Sequence, residues 1–444
     1  MKKIKDAMMS DNLKQIEEID QDFENSPVPI DSRKNFWGIT IVWLGFVFVI
    51  TSMITGGGLA EGLSFKDIIL TIILGNIFLT VIAMAVANMA AKTGLSFALM
   101  TRYSFGEKGS KIATMFVPIV SIGWYTIQSA IFGHFVSQIF GITGVGELIV
   151  LFASAIIMGL FALKGMEAIT VLGYVAIPAI IFLSLATAIR SAGLVGWESI
   201  VDYQPAVKMS LVEGVTIVIG TWVFSAATAI ADIMRFAKNS KDAMKSAAVG
   251  LLFGNGLLIV CGAISAIGSN NSDLTEVLLG LGLIIPSLIL MTTNIFTTNA
   301  ANMYSSSLNL SNTFSKDRKK IIAVILVISG LLCLTRPYQI DVLFKFLNTL
   351  GIIVPPLAGI ILADFYIVNK GNYKELRKAN LKKWSIIPWL TWAITLVVVY
   401  TLIGFFGTNE SLLTRVFGLP ALNGIIFAMI LYPIIYKFGN GNRR

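Results

Sequence analysis

A chain of 444 residues that is 55% hydrophobic, only 13% charged and has a mean hydropathy of +0.79 is too apolar for a water-soluble globule, where charged side chains make up about a quarter. Two cysteines, Cys261 and Cys333, both in apolar runs, and a single histidine, His134, exclude a disulfide framework and a transition-metal donor set. The net charge of +9 would by itself admit a nucleic-acid partner, but its distribution along the chain argues for membrane topology instead.

The first 35 residues, with Glu17, Glu18, Asp20, Asp22 and Glu24, read as a cytosolic tail with no cleavable signal peptide. Twelve apolar segments then follow, each close to the roughly 20 residues that cross about 30 Å of hydrocarbon. They lie near 36–59, 66–91, 112–140, 146–163, 168–189, 210–233, 243–268, 277–310, 321–335, 341–368, 385–406 and 416–436. The expected organisation is a tail (1–35), a ten-span core (36–368), a cytosolic loop (369–384), two additional spans (385–436) and a second tail (437–444). With the N-terminus inside, 28 of the 34 Lys and Arg residues fall in cytoplasmic pieces, Lys164 among them. Only Lys66, Arg190, Lys208, Arg336, Lys345 and Arg415 fall outside. A miscount by one span would scramble this alternation, so both termini are expected in the cytoplasm of a multi-pass cell-membrane protein.

Interruptions within the spans point to a site. The first carries Gly45 and ends in Thr55-Gly56-Gly57-Gly58, and the sixth carries Gly220-Thr221-Trp222 followed by Ser225 and Thr228. Glycine weakens a helix interior by about 1 kcal/mol relative to Ala, so both are expected to unwind there and turn carbonyls toward a ligand; close helix packing is the competing reading. The first and sixth spans open two successive groups of five, the arrangement of an inverted five-plus-five repeat with two helices added.

In the third span Trp124 and Gln128 stand four residues apart, on one face of a helix, which suits a flat heterocycle that is both stacked and hydrogen-bonded. Trp222 could cover its other side. The eighth span holds a stripe of Asn294, Thr298, Asn302, Ser305 and Asn309 that cannot face lipid. No carboxylate lies at mid-depth in any span, and Asp232 and Asp364 read as gate or loop ion pairs. Neutral oxygens can hold Na⁺ instead: the hydroxyls of Thr297 and Thr298, with Asn294 and carbonyls near Gly45 and Phe48. Coupling to H⁺ through His134 is the alternative. The membrane interior offers no nucleophile and base, no HExxH and no paired aspartates, so an enzyme is not expected, nor any organic cofactor. A channel would want a charged ring or selectivity loop, and an amino-acid carrier would need a partner for an ammonium group. The oligomeric state stays open, and a monomer would suffice.

Several motifs together resemble the nucleobase:cation symporter-1 family, most of all its purine/cytosine permease-like branch. They are Pro27-Val-Pro-Ile-Asp-Ser-Arg33-Lys34, Thr55-Gly-Gly-Gly58, Ala91-Lys-Thr-Gly-Leu95, Arg102-Tyr-Ser-Phe-Gly106, Gly123-Trp124, Ala231-Asp232-Ile-Met-Arg235-Phe236, Thr297-Thr298-Asn299 and Ala363-Asp364. The resemblance implies an all-α LeuT-like fold, Na⁺ as coupling ion, and a planar nitrogen heterocycle as the small-molecule partner. It also implies alternating access, with spans three, four, eight and nine rocking against one, two, six and seven. Carried over by position, Trp124 matches a stacking tryptophan, and Gly45, Phe48, Asn294, Thr297 and Thr298 match positions around the cation. Ser121 stands where enterobacterial cytosine permeases have a substrate-binding glutamine, while Gln128 and Trp222 look like the hydantoin-transporting members. The expected ligand contacts are therefore Trp124, Gln128, Ser121, Trp222, Phe224, Ser225, Asn299 and Asn302. Cytosine is the first choice of cargo; other pyrimidines, purines, hydantoin and allantoin are alternatives.

Overall fold

The computed structural model describes residues 23, 26–162, 166–314, 316–376, 378–406 and 418–440. Most of the N-terminal tail, Lys164, Arg415 and the last four residues lie outside that set. The described chain is helical, with a helix in the described part of each predicted segment. The first segment is two helices, α1 (Phe36–Val47) and α2 (Ile50–Ala60), bent by 51°. Next come α3 (Phe65–Thr93), α4 (Phe97–Phe105), α5 (Phe116–Ile139), α6 (Val145–Ala162) and α7 (Met166–Val195). The sixth segment is also two helices, α8 (Leu211–Ala227) and α9 (Ala229–Met234). Then follow α10 (Ser240–Ser269), α11 (Leu274–Gly280), α12 (Ile284–Phe314), α13 (Arg318–Cys333), α14 (Ile340–Val368), α15 (Ile387–Phe406) and α16 (Pro420–Asn440). Among the described residues seven helices are long and apolar enough to cross a bilayer, eight with α1 and α2 taken as one span.

The breaks do not fall where the glycines stand. In a continuous helix Val49 N–H would reach the Gly45 carbonyl and Ile50 N–H that of Phe46. Instead Val49 donates to Val47 O (2.9 Å) and Ile50 to Asn294 Oδ1 (3.2 Å). The ladder therefore ends at Phe48, three residues past where the sequence suggested. The sixth span breaks at Thr228, whose φ of −128° and ψ of −76° are not helical, and not at Gly220. Gly220, Gly56 and Gly262 serve close packing. A Cβ at Gly220 would lie 2.1 Å from Leu347 O, one at Gly56 1.9 Å from Ile259 O, and one at Gly262 1.8 Å from Met53 O. Backbones of α2 and α10 thus touch directly, as small residues allow in membranes where apolar burial gives no drive between helices.

Two packing groups result. Helices α5, α6, α12 and α13 pack on one another, while α2 lies on α10 and α8 lies on α3 and α14. Helix α7 touches both groups through α10 and α12, and α16 joins α15 to α14. The connections also sort by side. At one end Ser272 donates to Glu61, Asp273 meets His134 and Arg336 meets Glu147. At the other, Lys34 pairs with Phe236 and Lys238, Asp232 accepts from Phe97 N, and Glu107 and Lys108 bond Lys382 and Lys383. Asp364 is no ion pair: its carboxylate, 1% exposed, accepts from Tyr373 (2.7 Å) and Tyr432 (2.8 Å) and ties α14 to α16. Asp232 accepts from Phe97 N at the start of α4.

Candidate functional site

The first break borders a cavity between the packing groups, to which α8 contributes the turns before the second break. Phe46, Val49, Thr51, Ser52 and Thr55 line it from the first span, Thr221, Trp222 and Ser225 from the sixth. Trp124 and Gln128 come from α5, and Thr298 and Asn302 from α12. Six of the residues singled out from the sequence therefore meet at one place. Helical spacing accounts for this: Trp124 with Gln128, and Thr298 with Asn302, each lie four apart on one face.

The aromatic parts are held in plane by their neighbours. Phe346 meets the Trp124 indole at 88° with centroids 5.3 Å apart, and Phe46 and Trp43 meet Trp222 edge-on at 5.7 and 6.1 Å. Trp222 Nε1 donates to Ser52 Oγ at 3.4 Å. The polar parts lean toward acceptance. Thr55, Thr221 and Thr298 each give their proton to a backbone carbonyl of their own helix (2.9, 2.6 and 2.8 Å), so their remaining lone pairs are what they can offer. Gln128 is 4% exposed and its Oε1 has no protein partner, an arrangement that costs free energy unless a ligand or water donates to it. A flat ring with N–H groups fits this set: π faces for the ring, acceptors for its edge.

Three expected contacts are not among the residues lining this cavity. Asn299 turns toward the opposite neighbours, its amide donating to Tyr125 O (3.1 Å) and Ser129 Oγ (3.0 Å) on α5. Phe224 sits two residues beyond Trp222, about 200° round the helix, in the apolar core. Ser121 is buried about one turn before Trp124. Thr51 and Ser52 were missed, and Thr55 and Thr221 were noted only as parts of the interrupted spans; the polar spacing Thr51-Ser52-Thr55 in an otherwise apolar span was the signal available.

The residues matched to the cation gather beside the first break. Asn294 Nδ2 donates to Phe48 O (2.8 Å), and Thr297 and Thr298 both donate to Asn294 O (2.8 Å each). Gly45, in the last turns of α1, has a carbonyl that the break deprives of its helical donor, Val49 N–H. The oxygens these residues carry are neutral and hard, a chemistry that fits a monovalent cation such as Na⁺ and not a transition metal.

His134 stands apart from both. Nδ1 lies 3.1 Å from Glu147 and Nε2 3.0 Å from Asp273, while the ring stacks on Tyr338 at 4.0 Å. Tyr338 donates to Glu147 (2.6 Å), and Arg336 pairs with the same carboxylate (3.2 Å). Burial works against the Asp273 carboxylate, but the His134 hydrogen bond and the Thr275 and Glu276 amides outweigh it and hold its pKa below the usual range. This cluster borders a second cavity of about 500 Å³ that also reaches Glu61, Ser272 and Asp341.

Comparison with known proteins places these features in context. Residues 27–426 match the family described as permeases for cytosine/purines, uracil, thiamine and allantoin. The chain is 30% identical over 421 residues to the cytosine permease of Escherichia coli (strain K12), covering 94% of this chain and 96% of that one. Among solved structures it resembles the inward-facing conformation of Mhp1, with a TM-score of 0.81 at 18% identity and 94% of each chain covered. It also resembles Mhp1, a nucleobase-cation-symport-1 family transporter, in a closed conformation with bromovinylhydantoin bound. There the TM-score is 0.74 at 18% identity, over 94% of this chain and 96% of that one. These likenesses show the LeuT-like fold.

Proposed function

Because the chain belongs to the nucleobase:cation symporter-1 family of multi-pass membrane permeases, we propose that it imports cytosine, coupled to Na⁺, by alternating access. The observation that carries this reading is the cavity beside the first helix break, where Trp124 and Trp222 supply ring faces and Gln128 an unpaired acceptor. Cytosine brings a flat ring, a ring N–H and an exocyclic amino group to acceptors that lack a donor. Twelve spans with both termini in the cytoplasm are part of the proposal. The segregation of the connections supports it: Glu61, Glu147, Asp273 and Arg336, all expected outside, meet at one end. Lys34, Asp232 and Lys382, all expected inside, make their bonds at the other.

In the mechanism, Na⁺ would be held by carbonyls of Gly45, Phe48 and Asn294 and by the hydroxyls of Thr297 and Thr298, and would supply the positive charge that fixes the unwound backbone. Thr298 lies on both sites, lining the cavity while bonding Asn294 O. Ion and substrate therefore share a wall, and each raises the affinity for the other by the same factor. Thr298→Ala raises the Na⁺ concentration for half-maximal uptake about tenfold or more, as expected for losing one polar contact to a charge. An unchanged Na⁺ dependence would count against the site.

A hydantoin-like ring is the second reading, favoured by one observation: Gln128 and Trp222 line the cavity whereas Ser121 does not. Uptake of radiolabelled cytosine into proteoliposomes, with and without an inward Na⁺ gradient, tests both. Unlabelled uracil, adenine, allantoin and hydantoin serve as competitors. Gradient-driven cytosine uptake blocked only by close analogues supports the first reading, and displacement by hydantoin or allantoin alone supports the second. Uptake that follows a proton gradient and ignores Na⁺ moves the coupling to H⁺, with His134 as the group to substitute.

A further inference from the structure

Helix α10 loses its regular pitch at Val249–Asn255, where the turn widens to a π-helix. Such widened turns are rare and concentrate where a side chain must be re-aimed for function. The residue at the end of this one is Asn255, fully buried in an otherwise apolar stretch. It does not line the substrate cavity, yet its amide touches two residues that do. Its Oδ1 accepts from Ser52 Oγ at 2.8 Å, and its Nδ2 lies 3.4 Å from Thr221 Oγ1 and 2.7 Å from Asn76 Oδ1. Ser52 in turn accepts from the Trp222 indole. One amide thus joins four spans and stands behind three side chains of the cavity wall.

Gluing helices together would need less. An Asn255–Asn76 pair alone would tie α10 to α3. The additional bonds fix a polarity. With its proton given to Asn255, Ser52 can only accept on its free side, and Thr221, whose proton goes to Val218 O, is in the same position.

We propose that Asn255 is a positioning and specificity-determining residue, which holds the Trp222 ring through Ser52 and keeps Ser52 facing the cavity as an acceptor beside Thr221. The specificity half rests on the heterocycle reading given above; the positioning half does not. Without the amide, the Ser52 hydroxyl is free to rotate and donate. A ring carrying an oxygen where cytosine carries an amino group then becomes a better ligand.

The test separates the two halves. Trp222 fluorescence is isolated as the difference between each protein and its Trp222→Phe counterpart, in detergent and without ligand. Asn255→Ala shifts that difference spectrum, whereas Asn76→Ala, which removes only the helix tie, leaves it in place. In uptake assays Asn255→Ala raises KM for cytosine about tenfold with little change in maximal rate, the size expected for a lost buried hydrogen bond. The cytosine-to-uracil preference moves toward one. In a Ser52→Ala background, Asn255→Ala adds little further, because the two act in one chain. An unshifted Trp222 spectrum overturns the positioning role. Equal effects of Asn76→Ala and Asn255→Ala on KM reduce Asn255 to helix glue and overturn the proposal likewise. A shifted spectrum in a protein that transports none of the heterocycles upholds positioning and overturns the heterocycle reading instead.

Discussion

Trp124→Ala lowers the rate of cytosine uptake at sub-saturating substrate by about 10- to 100-fold, since stacking a base on an aromatic ring contributes roughly 1–3 kcal/mol. The loss falls on KM, because the ring face contributes to holding the ligand. Trp124→Phe retains a π face and loses less. The geometry gives the reason: Phe346 fixes the indole plane from one edge, and Gln128 lies one turn further along the same wall of the cavity. Trp197→Ala, at a tryptophan that is 56% exposed and not part of the cavity lining, leaves uptake unchanged. Initial rates of radiolabelled uptake in proteoliposomes check both, and a normal KM in Trp124→Ala would remove the indole from the site.

Gly262→Val has the other large effect, on the fold itself. A Cβ at Gly262 would stand 1.8 Å from Met53 O, and across the same contact one at Gly56 would stand 1.9 Å from Ile259 O. Neither obstacle is a flexible side-chain tip; both are backbone, so α2 and α10 must separate. Overpacking of a well-filled core costs about 1–3 kcal/mol, and a backbone collision lies at or above the top of that range. The expected result is loss of the monodisperse peak on size-exclusion chromatography and no measurable uptake. Gly193→Ala provides the contrast. Its Cβ would meet nothing within 4 Å, it sits inside α7, and the change leaves thermal stability the same or slightly higher.

These glycines also show how far the sequence could be read. Apolar segment lengths and the 3.6-residue period were enough to place the helices and to put Trp124 beside Gln128 and Thr298 beside Asn302, because those relations are local. Breaks were harder. Gly45 and Gly220 look like hinges in a sequence, yet a glycine also allows a neighbouring backbone to approach, and only the partner, Leu347 for Gly220, reveals which purpose it serves. The real breaks, at Phe48–Val49 and Thr228, carry no special residue; they are fixed from outside, the first by the Asn294 side chain bonding both Phe48 O and Ile50 N. Asn299 was expected to touch the ligand, but its azimuth on α12 turns its amide to α5. Ser52 and Asn255, 203 positions apart, and His134 with Asp273, 139 apart, could be joined only by folding.

The cavity wall is divided between the two packing groups. Trp124, Gln128, Thr298 and Asn302 belong to α5 and α12, which lie on each other. Thr51, Ser52 and Thr55 ride on α2, fastened to α10 by the glycine contacts, and Thr221, Trp222 and Ser225 ride on α8. A molecule in the cavity is therefore gripped like a coin between two leaves. A ring too small to reach both leaves would touch one and leave the other free; a ring too large would prop them apart. On the alternating-access reading proposed above, selection by size then acts through the fit between halves rather than through any single residue, and the cargo serves as the gauge for closure.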